Sequence, residues 1–506
     1  MADEEKYSAW RRRSYSVVRG ALVLHSGNLG NRVVSGAGFT MMGIALRTLL
    51  TIGSMAILAR LLTPADFGYI AMATSVTELA ALFGSFGFGN ILVQRKVINR
   101  LQMDTLFWAG LVVGIGLTTV VFLLSFVTKI LFGNAIIGDL LRVLSLSFLF
   151  GGLTLVHSAI IARMMWFRLE FWIQIAVILC RSLAAIAFAY EGYGVWSLVI
   201  GALTGVVSGV LLTLAAVPYI PRVRFHSAYL TSTWRTSSSY FGSSILYYIS
   251  MNVDVLLIGR QLGASALGYY QNARSLTDEV RGRLAMPLQR VLFPAFSALQ
   301  ADLERLQRTI IHSGRLLAAV IVPVGFGISA VASELVPVLY GSQWSEMIPV
   351  LSMFGLSAAV RGSTAISSPL FNSRDRVALS LRYFLVGTFI TVVAIIIALP
   401  YGINAVSGAV TLSSLYTLVG FRAGIGLIGL GTRHVLIILG PPTVAAVVMW
   451  VAIWTIRPYS ATWLASPVLV LLVHILFGAL IYAIALHATS RKYLADFVDL
   501  AKRLFR

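Results

Sequence analysis

The sequence predicts an all-α polytopic membrane protein of about 14 transmembrane helices, built as two six-helix lobes with two further helices at the C-terminal end. Three observations predict it. Hydrophobic residues make up 58% of the 506 and charged residues 11%, which with a mean hydropathy of +0.86 leaves no room for a large soluble domain. The apolar stretches run to about 20 residues, the length that crosses about 30 Å of hydrocarbon. Third, a pattern in the first half returns 200 positions later: Arg60, Leu62, Gly68, Tyr69, Ala73, Ser75 and Thr77 reappear as Arg260, Leu262, Gly268, Tyr269, Ala273, Ser275 and Thr277. Glu78 is answered by Asp278, a conservative match.

Taken in order, the first six spans are expected at Phe39–Leu62, Phe67–Val93, Leu106–Thr128, Leu140–Ile161, Phe171–Tyr190 and Val195–Pro218. The next six are expected at Tyr240–Leu262, Leu267–Leu299, Ile310–Ala332, Met347–Leu370, Leu379–Leu399 and Ile403–Gly424, with Val435–Ile456 and Pro467–His487 following. The seventh and eighth are the least apolar, because they carry Asn252, Asp254, Arg274, Asp278, Glu279, Arg281 and Arg283. The organisation that follows is a basic tail over 1–37, a first lobe over 38–230, a second over 231–430, two added spans over 431–488 and a basic tail over 489–506. The stretch from Tyr219 to Trp234 is the natural joint between the lobes.

The repeat covers six spans, an even number that preserves orientation. The lobes are therefore expected to be related by a pseudo-twofold along the membrane normal and not by inversion. Loop charge orients the chain. Arg95, Lys96 and Arg100 follow span two, Arg163 and Arg168 span four, and Arg222, Arg224 and Arg235 span six. Arg305 and Arg308, Arg374 and Arg376, and Arg433 follow spans eight, ten and twelve, and Arg491, Lys492, Lys502, Arg503 and Arg506 close the chain. Odd loops such as Glu191–Gly194 and Ser333–Glu346 lack such cations. Positive residues stay on the cytoplasmic side, so both termini are expected there, in a bacterial inner membrane.

The formal charge of +20 and pI near 10.4 have the same origin. No basic region is long enough to fold as a nucleic-acid-binding domain, so no nucleic-acid partner is expected. Arg12-Arg13 precedes only the short stretch Val17–Leu24, itself interrupted by Arg19, and this is no signal core; a tail lying on anionic membrane lipid fits better. The single cysteine, Cys180, is read as a small core hydrophobe. Gly424-Ile-Gly426-Leu-Ile-Gly429 matches the dinucleotide pattern by letter, but it lies between spans and follows no strand. Gly84, Gly87 and Gly89 suit close helix packing. His157 has no ligand-spaced partner for a metal. No nucleophile elbow, Walker sequence or acid–base pair is present, so neither an enzyme nor a bound cofactor or metal is expected.

Arginine carries the functional signal. Arg47 lies mid-way through the first span, and Arg274, Arg281, Arg283 and Arg361 lie in or beside spans of the second lobe. A charge at such depth costs several kcal/mol, of order 3, unless it meets a cavity or a partner. Arg47 and Arg274 are read as cavity residues, with Arg281, Arg283 and Arg361 secondary; Arg142 and Arg181 are read as snorkelling or paired. Guanidinium suits phosphate, since its planar fork donates two parallel hydrogen bonds. Glu78 and Asp278 are open to two readings, ion coupling or structural pairing with arginine, and their repetition favours pairing. Asp254 and Asn252, whose counterparts are Ser54 and Ile52, are unrepeated, which makes Asp254 the better coupling candidate. Tyr240, Tyr247 and Tyr248 are placed to stack on sugars or to serve as an interfacial belt.

The run Arg60-Leu-Leu-Thr-Pro-Ala-Asp-Phe-Gly-Tyr69, with Asn252-Val-Asp254, Ile258-Gly-Arg260, Leu267-Gly-Tyr-Tyr270, Ala273-Arg274 and Phe293-Pro294, resembles bacterial polysaccharide flippases. These belong to the multidrug/oligosaccharidyl-lipid/polysaccharide exporter superfamily, and the chain is similar to exporters of the succinoglycan and colanic-acid type. The resemblance covers residues 35–490 or so and implies two lobes working by alternating access. It implies an undecaprenyl-diphosphate-linked oligosaccharide as substrate, moved to the periplasmic leaflet, with a polysaccharide polymerase and co-polymerase as partners. Arg274 matches a position where the related lipid II flippase carries a cavity arginine, and Arg47 lies near another. Ser54 and Leu82 stand where that flippase has cations, which counts against lipid II as substrate. A multidrug or organic-cation antiporter shares the fold; it needs free buried carboxylates, and here arginines outnumber them. A polymerase or glycosyltransferase would need a large outer loop, and none is read here.

Overall fold

The computed structural model describes residues 22–23, 29–85, 92–93, 97–227, 245, 247–463 and 466–490. The chain divides into two compact units, Met1–Leu256 and Leu257–Arg506. Among the described residues ten stretches are long and apolar enough to cross a membrane. They fall at the expected second to sixth, ninth and eleventh to fourteenth spans. The remaining four positions, the first, seventh, eighth and tenth, are helical too. The expected seventh span survives in the described residues as a helical stretch over 247–261. The tenth is broken by a turn at 364–366, and the eighth carries a run of ions.

In the first unit, α1 (Leu29–Leu61) and α2 (Pro64–Ser85) meet at a tight turn whose chemistry is written in the motif. Thr63 N and Oγ1 donate to Asp66 Oδ2 at 2.9 and 2.7 Å, and Asp66 N returns a longer bond of 3.4 Å to Thr63 Oγ1. This is a capping box with Pro64 at the first helical position, where its missing N–H is no loss. The second unit makes the equivalent turn differently. Gly263, with φ +84°, opens the long helix α9 (Gly263–Ala298), and only glycine takes that backbone without strain.

Further helices of the first unit are α3 (Arg100–Leu124), α4 (Thr128–Phe132), α5 (Ile136–Leu144), α6 (Leu146–Arg163), α7 (Phe167–Tyr190) and α8 (Val195–Ala216). Asn99 caps α3 through a reciprocal bond with Gln102, and the short strand Val97–Ile98 before it pairs antiparallel with Leu22–Val23. The second unit continues with α10 (Leu303–Ala330), α11 (Ala332–Leu339), α12 (Met347–Ser363), α13 (Ser367–Ser373), α14 (Val377–Ala398), α15 (Ile403–Ser414), α16 (Tyr416–Gly426), α17 (Thr432–Trp463) and α18 (Pro467–Thr489). The stretch Ser333–Glu346, expected as a loop, is instead helix α11 and a 3-10 turn at Ser342–Trp344.

The repeat is visible as packing inside each unit. Helices α3 and α6 cross at glycines: a Cβ on Gly152 would sit 2.7 Å from Gly110 O. Helices α10 and α12 cross in the same way, where a Cβ on Gly355 would sit 2.6 Å from Gly325 O. Small residues allow such backbone approach, which drives helix pairing in lipid. The repeated tyrosines also keep their station. Tyr69 OH accepts from Asn134, in the connection before α5, at 3.1 Å, while Tyr269 packs edge-on against Trp344, in the connection before α12.

Beyond α8 the chain is fastened to its own unit. Tyr219 OH donates to buried Asp104 at 2.7 Å, Trp108 Nε1 donates to Arg222 O at 2.8 Å, and His226 N donates to Thr105 Oγ1 at 3.2 Å. Burial and the Asp104 carboxylate push the Tyr219 phenol up from its ordinary value, so it remains a donor. Of the expected joint, the part up to His226 is thus a strap on α3; Trp234 lies outside the described residues. Helices α17 and α18 pack on α10, where Tyr482 OH donates to Ala319 O at 2.9 Å. The far side of α18 exposes Leu476, Leu480 and Ile484, as a lipid-facing surface would.

Candidate functional site

At about 100° per residue, Gln271, Arg274, Asp278 and Arg281 share one face of α9. Asp278 is the hub. Arg281 reaches its Oδ1 with Nε at 3.1 Å and Nη2 at 3.0 Å, while Arg274 Nε stands 3.6 Å from Oδ2. Arg361, in the last turn of α12, lies within electrostatic range of Asp278, Arg281 and Arg274. Its neighbour Gly362 is what lets the helices close on the cluster: a Cβ there would lie 2.4 Å from Ile321 and 3.2 Å from Arg281 Cγ.

Three guanidiniums on one carboxylate leave a surplus of positive charge within the second unit. The side chains of Arg274, Arg281 and Asp278 are 17%, 25% and 31% exposed, so the charge is sheltered but still reachable. Such an arrangement can hold a dianion, since the cluster carries more positive than negative charge and guanidinium forks suit phosphate oxygens.

Arg283 does not belong to this group. It lies about 140° around α9 from Asp278 and pairs with Glu279. In the first unit Arg47 is half-buried in α1, where its Nε donates to Gly43 O at 3.0 Å; among the described residues no carboxylate pairs with it. Glu78 is exposed and stands 3.3 Å from Tyr248 OH, whose nearer acceptor is Ser75 O at 2.7 Å. Asp254 is buried and accepts from Val255 N at 2.9 Å. Tyr247 is exposed, and Tyr240 lies outside the described residues. Arg142 is paired with Asp139 at 2.7 Å and covers the Phe126 ring at 4.6 Å, and the Arg181 stem runs beside Gly205.

Sequence reading missed Gln271. Its Oε1 is buried without a hydrogen-bond partner, and turning the amide would present Nε2 in the same place. The spacing of three, seven and ten residues to Arg274, Asp278 and Arg281 is the signal that would have found it.

Residues 57–349 match the family described as polysaccharide biosynthesis protein. The lipopolysaccharide biosynthesis protein WzxC of Escherichia coli (strain K12) is 27% identical over 380 residues, 73% of this chain and 76% of that protein. The succinoglycan biosynthesis transport protein ExoT of Rhizobium meliloti (strain 1021) is 27% identical over 460 residues, 88% of this chain and 91% of that protein. In fold, the chain is similar to the lipid II flippase MurJ in an inward closed conformation. The TM-score is 0.72 at 14% identity, covering 91% of this chain and 100% of the other.

Proposed function

This chain belongs to the polysaccharide biosynthesis protein family, and we propose that it is a flippase for an oligosaccharide linked to undecaprenyl diphosphate. It carries the lipid-linked repeat unit from the cytoplasmic to the periplasmic leaflet of the inner membrane, by alternating access and without covalent chemistry. The lobes over 38–230 and 231–430 move about the pseudo-twofold, both termini stay cytoplasmic, and a polymerase with its co-polymerase takes up the product. The observation that supports this most is the arginine surplus around Asp278. A diphosphate diester carries one negative charge per phosphate, which suits Arg274 and Arg361 with Arg281 behind them. Arg47 is the corresponding candidate cation of the first unit, and the polyprenyl chain stays in lipid.

An organic-cation antiporter needs a carboxylate open to its cargo, and the carboxylate of this cluster is already held by Arg281. A strain lacking the gene is expected to lose surface polysaccharide and accumulate lipid-linked repeat units. Restoration of export by a chain carrying both Arg274→Ala and Arg361→Ala, at normal membrane level, would refute the assignment of the anion site.

A further inference from the structure

Helices α11, α17 and α18 of the second unit enclose a second group of ionisable side chains. Glu334 of α11 accepts from Arg457 Nε of α17 through Oε1 at 2.9 Å, and Arg457 also bonds Ala330 O. Ser333 Oγ donates to the other oxygen, Oε2, at 3.1 Å. His474 of α18 is fully buried, with Nδ1 3.6 Å from Glu334 Oε1 and Nε2 2.8 Å from Ser460 Oγ.

Ser460 Oγ also reaches Arg457 O at 3.0 Å, so its single proton has two acceptors, and the tautomer of the neutral ring follows from which one it takes. Nδ1 has no hydrogen-bond partner. In the imidazolium both ring nitrogens carry hydrogen, and a cation then faces Glu334 and competes with Arg457 for the same oxygen.

Among the described residues, Glu334 and Arg457 are the charges that act on His474. Glu334 is the charged residue of α11, and Arg457 faces the site from α17. Helix α10 contributes the Ala330 carbonyl there, and its own charges and His312 all precede Leu316.

We propose that His474, facing Glu334, is a proton-binding site through which the protein couples transport to the proton gradient. This rests on the flippase reading. A proton taken up by the ring loosens Glu334 from Arg457 and ties α11 to α18; its release restores the α11–α17 pair. The occupied and empty forms thus fasten the two C-terminal helices differently.

The test uses the full chain labelled with nitrogen-15 histidine, with His474→Gln identifying the signal. His474 is expected to be neutral at high pH and to gain a second proton on acidification, and Glu334→Gln is expected to lower the midpoint by about one pH unit or more. A ring that stays neutral from about pH 9 to pH 4 overturns the site. In proteoliposomes, an imposed pH gradient is expected to accelerate wild-type movement of undecaprenyl-diphosphate oligosaccharide at least severalfold, with that ratio near one in His474→Gln. A ratio equal to wild type in the variant overturns coupling. Should His474→Gln fail to reach the membrane, Glu334→Gln keeps the imidazole and serves both measurements; a midpoint and a gradient ratio equal to wild type overturn the proposal. If wild type moves no lipid at all, the flippase reading fails, while the titration still decides the proton site.

Discussion

On the flippase reading an anionic substrate competes with Asp278 for Arg274, and the geometry separates the two roles. Arg281 holds Asp278 at hydrogen-bond distance through two nitrogens, whereas Arg274 stands at 3.6 Å, outside the normal range for N–H to oxygen. Removing Arg274 therefore leaves Asp278 neutralised. A charge-assisted hydrogen bond is worth about 1.5–3 kcal/mol, so Arg274→Ala is expected to weaken anion binding roughly 10- to 150-fold. Arg274→Lys, which keeps the charge and loses the fork, is expected to fall between. Arg281→Ala acts by another route: the freed Asp278 carboxylate recaptures Arg274, and export falls. Asp278→Asn in that background releases Arg274 and is expected to restore it. The assay is surface polysaccharide per cell, normalised to membrane protein level, for each single and double variant. Full rescue of Arg274→Ala by Asp278→Ala would refute the reasoning, because it would make Arg274 a structural partner of Asp278 and nothing more.

Three further outcomes follow from the fold. Thr63→Ala and Asp66→Ala each break one capping box and are expected to cost about 1 kcal/mol in thermal unfolding of the solubilised protein. The double variant should cost little beyond one single. Tyr219→Phe removes a hydrogen bond to a buried carboxylate and is expected to cost about 1.5–3 kcal/mol. The raised phenol fixes the sign: the stabilisation is fully present below the unfolded value of about 10 and fades only as pH rises through the folded one. The difference between wild type and variant should therefore stay constant from about pH 6 to pH 9. Gly355→Ala drives a methyl to 2.6 Å from Gly325 O, whereas Gly116→Ala meets nothing within 4 Å. The first is expected to cost about 1–3 kcal/mol and to lower membrane level; the second should leave it unchanged.

What the sequence made legible was what depends on local order. Span positions follow from apolar run length, and a helix occupies each expected position within the described residues. Spans are easy to read because lipid demands that every backbone polar group be satisfied within the helix. The Arg274, Asp278 and Arg281 cluster was half legible. Three of its members sit on one helix face at readable spacing, but Arg361 joins them only through helix packing at Gly362. The pairing of Arg283 with Glu279 was available from a four-residue spacing, yet both looked like part of the same charged run. The contacts of Glu334 with Arg457 and of Tyr219 with Asp104 join residues more than 100 apart in the chain. No periodicity reports such pairs. Glu334 read as a loop residue because a short amphipathic helix between spans looks like a polar interruption.

The two halves show which features a duplication keeps. Both make a tight turn after the first span of the repeat, by Thr63 with Asp66 in one and by Gly263 in the other. Both cross helices at paired glycines, and both set a repeated tyrosine against the connection before the fourth span. The chemistry differs while the shape is kept, as expected where the demand is geometric. Charge behaves in the opposite way. Gln271, Arg274 and Arg281 answer to Ala71, Thr74 and Ala81 in the first half, and the carboxylates that do repeat have diverged in setting. Glu78 lies exposed beside a tyrosine hydroxyl, while Asp278 is enclosed by arginine. A scaffold needs no buried charge to fold in lipid, where each costs several kcal/mol, of order 3. Arginines added to one half alone therefore answer to something other than the fold, and an anion is the partner their geometry suits.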